Sequence, residues 1–336
     1  MSDKKVLILG ATGALGVYMT EELINRGYWV DGVSADDAVS YDPKLKYVKA
    51  DALDDAVLEN LLRNRYDAVI DYMVYSDVEK FAVRFPKILD QAGHYIFLSS
   101  YRVYADDGRP ITETSPRLLE VTTDRRLIES NDYSIYKARE EDLLRKSAAR
   151  NFTILRPSIT YSKKRFQLTV LEAPVLIARM RRGKTVILPE EAMDKQATLS
   201  YSGDSAKMVA ALLNDPRAFG EAYTVSTAEH HTWREIADIY AEIGGLKYIT
   251  VGYEKFLDIF APGKLHARQQ LVYDRMFDRV VDNSKILKAA GLSQSELTPL
   301  KAGLERELAA LPRDYDFGEN EASARMDAYL AGQGMC

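Results

Sequence analysis

GATGALG, residues 10–16, follows the apolar run VLIL at residues 6–9 and precedes a helical pattern. Glycines at positions 10, 13 and 16 allow a tight turn from a strand into a helix and let a phosphate approach the backbone closely. The free N–H groups and the positive dipole end of such a helix can hold a pyrophosphate. The stretch therefore predicts a dinucleotide site, whose contacts here are Gly10, Thr12, Gly13, Ala14, Leu15 and Gly16.

Short apolar segments alternate with helical segments through the first half of the chain. The strand candidates are residues 5–9, 29–33, 47–49, 68–72, 95–99 and 152–155, and the helix candidates are residues 15–25, 56–63, 81–92 and 133–149. Such alternation is typical of βαβ units and a parallel sheet. We predict an α/β fold, a Rossmann-like doubly wound parallel sheet with a smaller C-terminal α+β lobe.

The composition of the chain disfavours several kinds of partner and site. A net charge of −5, with basic residues scattered along the chain, disfavours nucleic acid as a partner. The single cysteine, Cys336, excludes an intrachain disulfide, and the four histidines lack ligand spacing, so no metal site is predicted. The sequence shows neither a signal peptide nor an apolar run of about 20 residues, so we expect a cytoplasmic protein without a membrane partner.

Tyr133 and Lys137 stand four residues apart on a predicted helix, so their side chains project from one face. Tyrosine has an ordinary pKa of about 10, which a nearby ammonium lowers by favouring the phenolate. The pair therefore predicts a tyrosine base. The alternative is that Tyr133 is simply one of 21 tyrosines.

Four further motifs follow the glycine turn in this order along the chain: Ser99-Ser100, Val103-Tyr104, the Tyr133/Lys137 pair and Leu155-Arg156-Pro157. With the glycine turn, they give a chain that resembles the extended short-chain dehydrogenase/reductases, specifically the NAD-dependent sugar-nucleotide epimerase/dehydratase branch. The resemblance covers roughly residues 4–290. It implies a nucleoside-diphosphate sugar as substrate, a reaction in the cleft between the two parts, and a homodimer through a helix bundle.

The resemblance implies three catalytic residues, Ser100, Tyr133 and Lys137. Tyr133 would take a proton from a sugar hydroxyl, Lys137 would also hold the nicotinamide ribose, and Ser100 would hydrogen-bond the reacting oxygen. Met73 and Pro157 are expected beside the cofactor, although Met73-Val74 departs from the small Ala-Ala of the family. For Ser99, a strand-end role and a substrate contact both stay open.

The choice of cofactor depends on the end of the second strand. Ser34 stands where NAD enzymes carry an acid, but Asp36 and Asp37 follow, and no Lys or Arg appears before Lys44. A 2′-phosphate would meet repulsion there, so we predict NAD, with Ser34 and Asp36 as contacts. Asp51 and Ala52 match the position beside the adenine, and Asp51 fits the start of a helix equally well.

The substrate-binding residues predicted from the resemblance are Ser100, Tyr161, Arg275 and Arg179. Arg275 matches an Arg-x-x-Asp segment whose arginine pairs with the substrate diphosphate through its fork of donors. Tyr161 stands where the family often has Tyr-Gly, which predicts a cleft-lining role. Arg179 belongs to a basic run that either reaches a diphosphate or forms a solvated helix end.

Arg102 occupies the position where the 4,6-dehydratases carry an acid, so water elimination would lack its acid and base. The leading prediction is therefore an NAD-dependent nucleoside-diphosphate-sugar epimerase acting at C4 through a transient 4-keto sugar. The alternatives are an NAD(P)-dependent sugar-nucleotide reductase or dehydrogenase with net redox, and a non-catalytic dinucleotide- or RNA-binding protein.

The domain prediction follows from where the alternation becomes irregular. Residues 1–160 form the predicted NAD-binding Rossmann domain, completed by about residues 196–228. The predicted substrate-binding lobe comprises residues 161–195 and 229–312, and the acidic segment that follows predicts a C-terminal surface appendage over residues 313–336.

Overall fold

The structure is a computed structural model that describes residues 4–318 and 320–335. The polar residues 1–3, residue 319 and the lone cysteine, Cys336, lie outside the described residues. The strands are β1 Lys5–Leu9, β2 Trp29–Ser34, β3 Leu45–Lys49, β4 Ala68–Asp71, β5 Tyr95–Leu98, β6 Phe152–Leu155, β7 Ile159–Tyr161, β8 Gln167–Leu168, β9 Leu171–Glu172, β10 Thr185–Pro189, β11 Gln196–Ala197, β12 Leu199–Tyr201, β13 Ala222–Tyr223, β14 His231–Thr232 and β15 Lys247–Val251. The helices are α1 Gly16–Asn25, α2 Asp55–Leu62, α3 Val78–Gln91, α4 Leu118–Val121, α5 Arg125–Glu129, α6 Tyr133–Lys146, α7 Ala173–Arg181, α8 Ser202–Leu212, α9 Trp233–Gly244, α10 Tyr253–Phe260, α11 Leu265–Gln270, α12 Ser284–Ala290, α13 Leu300–Ala310 and α14 Glu321–Gly332.

The central sheet of the described chain has seven strands in the order β13-β6-β5-β4-β1-β2-β3, and all neighbouring pairs are parallel. The strand order reverses between β1 and β4, where a crevice opens at the carboxyl ends of the strands. Val6, Leu7 and Ile8 of β1 are fully buried, as expected for a strand covered on both faces. The Rossmann-like prediction is confirmed.

Two separate apolar layers cover the sheet. On one face, Val6 and Ile8 pack with side chains of α1, α8 and α12. On the other face, Leu7 and Leu9 pack with side chains of α2 and α3, and α6 packs beside α3. The strict alternation of side chains along β1 sends successive residues to opposite layers. The sheet is therefore doubly wound.

The later part of the chain is mainly helical. Helices α7, α9, α10 and α13 share one apolar core with the parallel pair β10 and β15. Of the later segments, β13 joins the edge of the central sheet beside β6, whereas β12 pairs with β7. The proposed division into a cofactor domain and a substrate lobe stays a prediction.

The C-terminal segment corrects one prediction. Residues 313–336 were expected to form a surface appendage, but α14 docks on α7 and α10. Its residues Ala322, Met326 and Leu330 are buried in the core, and Asp327 forms an ion pair of 2.8 Å with Arg179. The prediction fails because it rested on the acidic stretch before α14, whereas the apolar face of the helix decides where the segment lies.

None of the helices in the described part of the chain combines the length and the apolar composition that spanning a bilayer requires.

His94, just before β5, is completely buried and ties the sheet to the connection after α8. Its Nδ1 accepts the backbone N–H of Asn214 at 3.0 Å, so Nε2 carries the hydrogen and lies 2.9 Å from Oγ1 of Thr153. Protonation would put a charge in this buried place and a second hydrogen on an acceptor nitrogen. Burial accordingly lowers the pKa of His94 from 6.5 to about 4.

We expect the free energy of unfolding to fall as pH falls from about 6.5 to about 4, because the unfolded chain binds a proton that the folded His94 resists. The shift corresponds to about 3 kcal/mol at most. Urea denaturation at a series of pH values measures it. His94→Gln should flatten this dependence, whereas His266→Gln, at an exposed histidine, should leave it unchanged; identical slopes in both variants would contradict the account.

Candidate active site

A cleft of about 500 Å³ opens at the carboxyl ends of β1, β4, β5 and β6. Its wall comprises residues 10 and 13–16 of the glycine turn, residues 72–74, 98–102 and 157–160 after three of these strands, and the side chains of Tyr133, Arg165, Gln270 and Arg275. Met73 and Pro157 both line the cleft, and their contact with the cofactor stays a prediction. This is the topological switch point at which open α/β sheets bind their ligands.

The glycine turn is built by close backbone contact. Gly10 has φ +85°, a left-handed conformation that side chains disfavour. A Cβ placed on Gly16 would lie 2.1 Å from the carbonyl oxygen of Gly10, so only glycine fits there. Because α1 begins at Gly16, its N-terminus faces the cleft, where Ala14 and Leu15 also form part of the wall. The turn fits a pyrophosphate.

Beside the turn, Thr12, Ser34 and Asp36 form a hydrogen-bonded cluster. The hydroxyl oxygens of Thr12 and Ser34 are 2.5 Å apart, and Oγ1 of Thr12 donates to Asp36 at 3.1 Å. The side chain of Asp36 is exposed. An exposed carboxylate here suits ribose hydroxyls and repels a 2′-phosphate, so the residues fit NAD.

Asp51 and Ala52 follow β3, two strands away from β1, and lie outside the lining of the cleft. The carboxylate of Asp51 accepts the N–H of Leu53 at 2.8 Å, and the carbonyl of Ala52 accepts a hydrogen bond from Arg84. Both have local structural partners. Their contact with an adenine stays a prediction.

Ser100 and Tyr133 lie in the same cleft. Ser100 follows β5, and its Oγ accepts the N–H of Arg102 at 3.2 Å. Tyr133 is the first residue of α6, which is capped by Asp132 through a 2.9 Å hydrogen bond from the N–H of Ser134. The guanidinium carbon of Arg102 lies 5.1 Å from the centre of the Tyr133 ring. This contact is a cation–π interaction that holds Arg102 against the face of the ring.

Lys137 lies beneath the cleft and is absent from its lining. Its side chain is completely buried, and its Nζ lies 2.9 Å from Oε2 of Glu140 and 4.7 Å from the centre of the Phe97 ring. Burial raises the pKa of Glu140 to about 7, against the lowering effect of Lys137. Lys137 therefore has its ion-pair partner on its own helix, one turn away. Of the three predicted catalytic residues, the structure brings Ser100 and Tyr133 into one cleft and buries Lys137 outside its lining.

We expect Lys137→Met and Glu140→Gln each to lower the free energy of unfolding by about 3 kcal/mol or more, since each leaves a buried charge or polar group without its partner. The double variant should be destabilised by less than the sum. Urea denaturation followed by circular dichroism measures the cycle. Additivity of the two losses within about 0.5 kcal/mol would show that the pair does not form in solution.

Three arginines and no carboxylate line the described cleft. Arg275 is buried, forms an ion pair with Asp274, and donates from Nε to the carbonyl of Thr169 at 2.8 Å. Burial lowers the pKa of Arg275 to about 10. Its donors are largely committed inside the protein, so its predicted contact with a diphosphate stays a prediction.

Arg102 and Arg165 are the other two cations of the cleft, and they differ in their partners. Arg102 has a nitrogen 3.3 Å from Asp132 and its Nε 3.7 Å from Asp274. Arg165 is partly exposed, and its side chain has neither an ion pair nor a hydrogen bond within the described residues. Sequence reasoning missed Arg165 as a cleft residue, although the run Lys163-Lys164-Arg165, two residues after Tyr161, was a usable signal.

Two predicted substrate contacts do not line the cleft. Tyr161 is buried against Tyr201, with ring centres 5.8 Å apart, and its hydroxyl lies so close to Gly303 that no Cβ fits there. Arg179 is buried below α14, where it pairs with Asp327 and donates to the carbonyl of Thr185 at 2.7 Å. The cleft-lining prediction for Tyr161 and the ligand prediction for Arg179 are wrong in position, because tertiary packing covers both side chains.

Ser99 serves the fold. Its hydroxyl donates to Glu141 at 2.6 Å, and Arg156 donates to the same carboxylate at 2.6 Å. Arg156 and Ser99 lower the pKa of Glu141 against the effect of its burial. The strand-end interpretation of Ser99 is thereby favoured.

Within the described residues, no group of three or more His, Cys, Asp or Glu side chains is arranged to hold a metal ion.

The segment that builds the cleft matches a known protein family. Residues 6–226 match the family described as NAD dependent epimerase/dehydratase family. The chain belongs to this family. The matched segment includes the glycine turn, Ser100, Tyr133 and Lys137, and membership confirms the family prediction and the predicted cofactor, NAD.

One relative within reach of sequence comparison is a protein of Arabidopsis thaliana named chloroplast stem-loop binding protein of 41 kDa b. It is 25% identical over an alignment of 265 residues, which covers 73% of this chain. The chain spans 64% of that relative's own length, less than two thirds of it.

Solved structures share the epimerase/dehydratase fold. The Bacillus cereus UDP-glucuronic acid 4-epimerase, in complex with UDP-glucuronic acid and NAD, is 17% identical with a TM-score of 0.68, over 91% of this chain and 98% of that one. The Bordetella bronchiseptica enzyme WbmH, in complex with NAD⁺, is 18% identical with a TM-score of 0.67, over 91% and 97% of the two chains. At these identities the likeness establishes the fold.

Proposed function

We propose that this chain is an NAD-dependent nucleoside-diphosphate-sugar epimerase that acts at C4 through a transient 4-keto sugar. One observation carries the proposal: a single cleft holds the glycine turn, Ser100 and Tyr133 together with three arginines, and no carboxylate lines it in the described chain. The positive charge of this lining suits ligands that contain a diphosphate, and Arg165 has no partner within the described residues that would compete with one. Membership in the epimerase/dehydratase family supports the same class of chemistry.

In the proposed reaction Tyr133 removes the proton of the C4 hydroxyl and later returns it. Ser100 holds the reacting oxygen by a hydrogen bond, and Arg102 packs over the Tyr133 ring and holds the ring in place. Bound NAD supplies the hydride acceptor and donor and is regenerated in each turnover. The keto sugar turns within the cleft, so that its other face meets the same residues. Lys137 adds positive charge from below, reduced by its pairing with Glu140.

Tyr101 and Arg102 follow Ser100, in place of the acid pair that water elimination needs. This favours epimerisation over dehydration. The net-redox alternative uses the same residues and differs in requiring cofactor exchange at each turnover.

The decisive variant is Tyr133→Phe, assayed on a panel of UDP- and dTDP-sugars. We expect it to reduce kcat by about a hundredfold or more, because the phenol is the proton acceptor, while NAD affinity stays within twofold. Tyr136→Phe is the matched control, since Tyr136 packs edge-on to Tyr133 at 5.3 Å and is buried. Product analysis by NMR and absorbance of NADH are read in the same reactions.

Unchanged turnover in Tyr133→Phe would overturn the proposal. An equal loss in Tyr136→Phe would point to a packing effect instead of proton transfer. NADH accumulating in proportion to product would favour the dehydrogenase or reductase alternative.

A second candidate function is RNA stem-loop binding, which is favoured only by similarity to the Arabidopsis protein of that name. The acidic net charge of −5 weighs against it. A gel-shift titration with an RNA hairpin at ~150 mM salt separates the candidates, because weak nonspecific contacts are screened there. Saturable binding in a chain without sugar-nucleotide turnover would favour the second candidate. The homodimer expected from the resemblance remains a proposal.

A further inference from the structure

A tight hairpin directly after β7 carries three consecutive basic side chains. Ser162 and Arg165 exchange two backbone hydrogen bonds of 2.9 Å each, which close the turn around Lys163 and Lys164. We call residues 162–165 the basic hairpin. The buried ring of Tyr161 anchors its start, so the hairpin is held at a fixed place in the fold.

The basic hairpin reaches the glycine turn. Nζ of Lys164 donates to the backbone carbonyl of Thr12 at 2.8 Å. Thr12 lies inside the turn, between Gly10 and Gly13, and Arg165 lines the cleft beside residues 13–16. Arg165 and the N-terminus of α1 therefore line the same cleft, and Lys164 contacts the backbone of the turn beside it.

Lys163 points elsewhere. Its Nζ lies 5.8 Å from the centre of the Tyr18 ring and 4.0 Å from the carboxylate of Glu21, both of which belong to α1. It carries the same charge as its two neighbours, but its Nζ contacts neither the glycine turn nor the lining of the cleft. Lys163 is therefore a suitable control position for experiments on Lys164 and Arg165.

The basic hairpin leaves positive charge without a counter-ion. Lys164 contacts only a neutral carbonyl, and the side chain of Arg165 has neither an ion pair nor a hydrogen bond in the described chain. By contrast, Arg102 and Arg275 are each held close to buried Asp274. Adjacent cations repel one another, and an anion bound between them removes that cost. The uncompensated charge marks the place of an anionic ligand.

We propose that Lys164 and Arg165 clamp the diphosphate of the bound dinucleotide, from the side opposite the N-terminus of α1. The dinucleotide is the favoured source of that diphosphate because Lys164 rests on the glycine turn itself. The inference rests on the proposed function only in requiring that NAD binds this cleft. Lys164 exchanges its bond to the Thr12 carbonyl for a phosphate oxygen, and Arg165 supplies its fork of donors.

Isothermal titration calorimetry with NAD and, separately, with UDP tests the proposal on the full-length variants Lys163→Ala, Lys164→Ala and Arg165→Ala. We expect NAD affinity to fall by about tenfold in each of the Lys164 and Arg165 variants, as for the loss of a charge-assisted hydrogen bond. The salt dependence of NAD affinity should weaken in the same two variants. Lys163→Ala should stay within twofold of the parent, and thermal unfolding should show all three variants folded.

NAD affinity unchanged in both the Lys164 and Arg165 variants would overturn the proposal. Equal losses in all three variants would also overturn it, because they would report general surface charge. A loss of UDP affinity with intact NAD binding would assign the hairpin to the substrate diphosphate instead. Since titration needs no turnover, these outcomes are independent of whether Tyr133→Phe abolishes catalysis.

Discussion

The contact between Gly16 and the carbonyl of Gly10 is the constraint on which the site depends. It lets the chain leave β1 and enter α1 within one tight turn, with no room for a side chain between them. Because of it, the N-terminus of α1 faces the crevice between β1 and β4, and the loops after β5 and β6 meet it there. A dinucleotide cradle and the Ser100/Tyr133 pair thus become parts of one cleft.

Several buried charged side chains around the cleft form ion pairs within the protein. Lys137 is paired with Glu140, Arg275 with Asp274, and Arg156 with Glu141. Burying such pairs is costly unless geometry and further hydrogen bonds compensate, so these groups are held in place and have limited freedom to bind ligands. Arg165 lacks such a partner within the described residues. Whether a cationic side chain is available to a ligand therefore depends on whether it already has a partner in the protein, and not on whether it is a lysine or an arginine.

Sequence reasoning succeeded where local pattern determines structure. The run at residues 5–9 became β1 at Lys5–Leu9, and the glycine spacing placed α1 directly after it. It failed where the outcome depends on distant segments. The sequence predicts Arg179 as part of a basic run, but in the structure α14 covers it and supplies its partner Asp327. The Tyr-x-x-x-Lys spacing does not indicate that Lys137 pairs with Glu140. The family and the fold could be predicted from the sequence. Which basic side chains are paired inside the protein could be seen only from the tertiary contacts.

Native mass spectrometry of the purified protein, followed by denaturation and identification of the released small molecule, tests the central claim most directly. An epimerase that regenerates its cofactor has no need to release it. The account predicts one NAD per chain retained through purification and identified after denaturation. A chain that stays free of any dinucleotide, even after incubation with NAD, would contradict it.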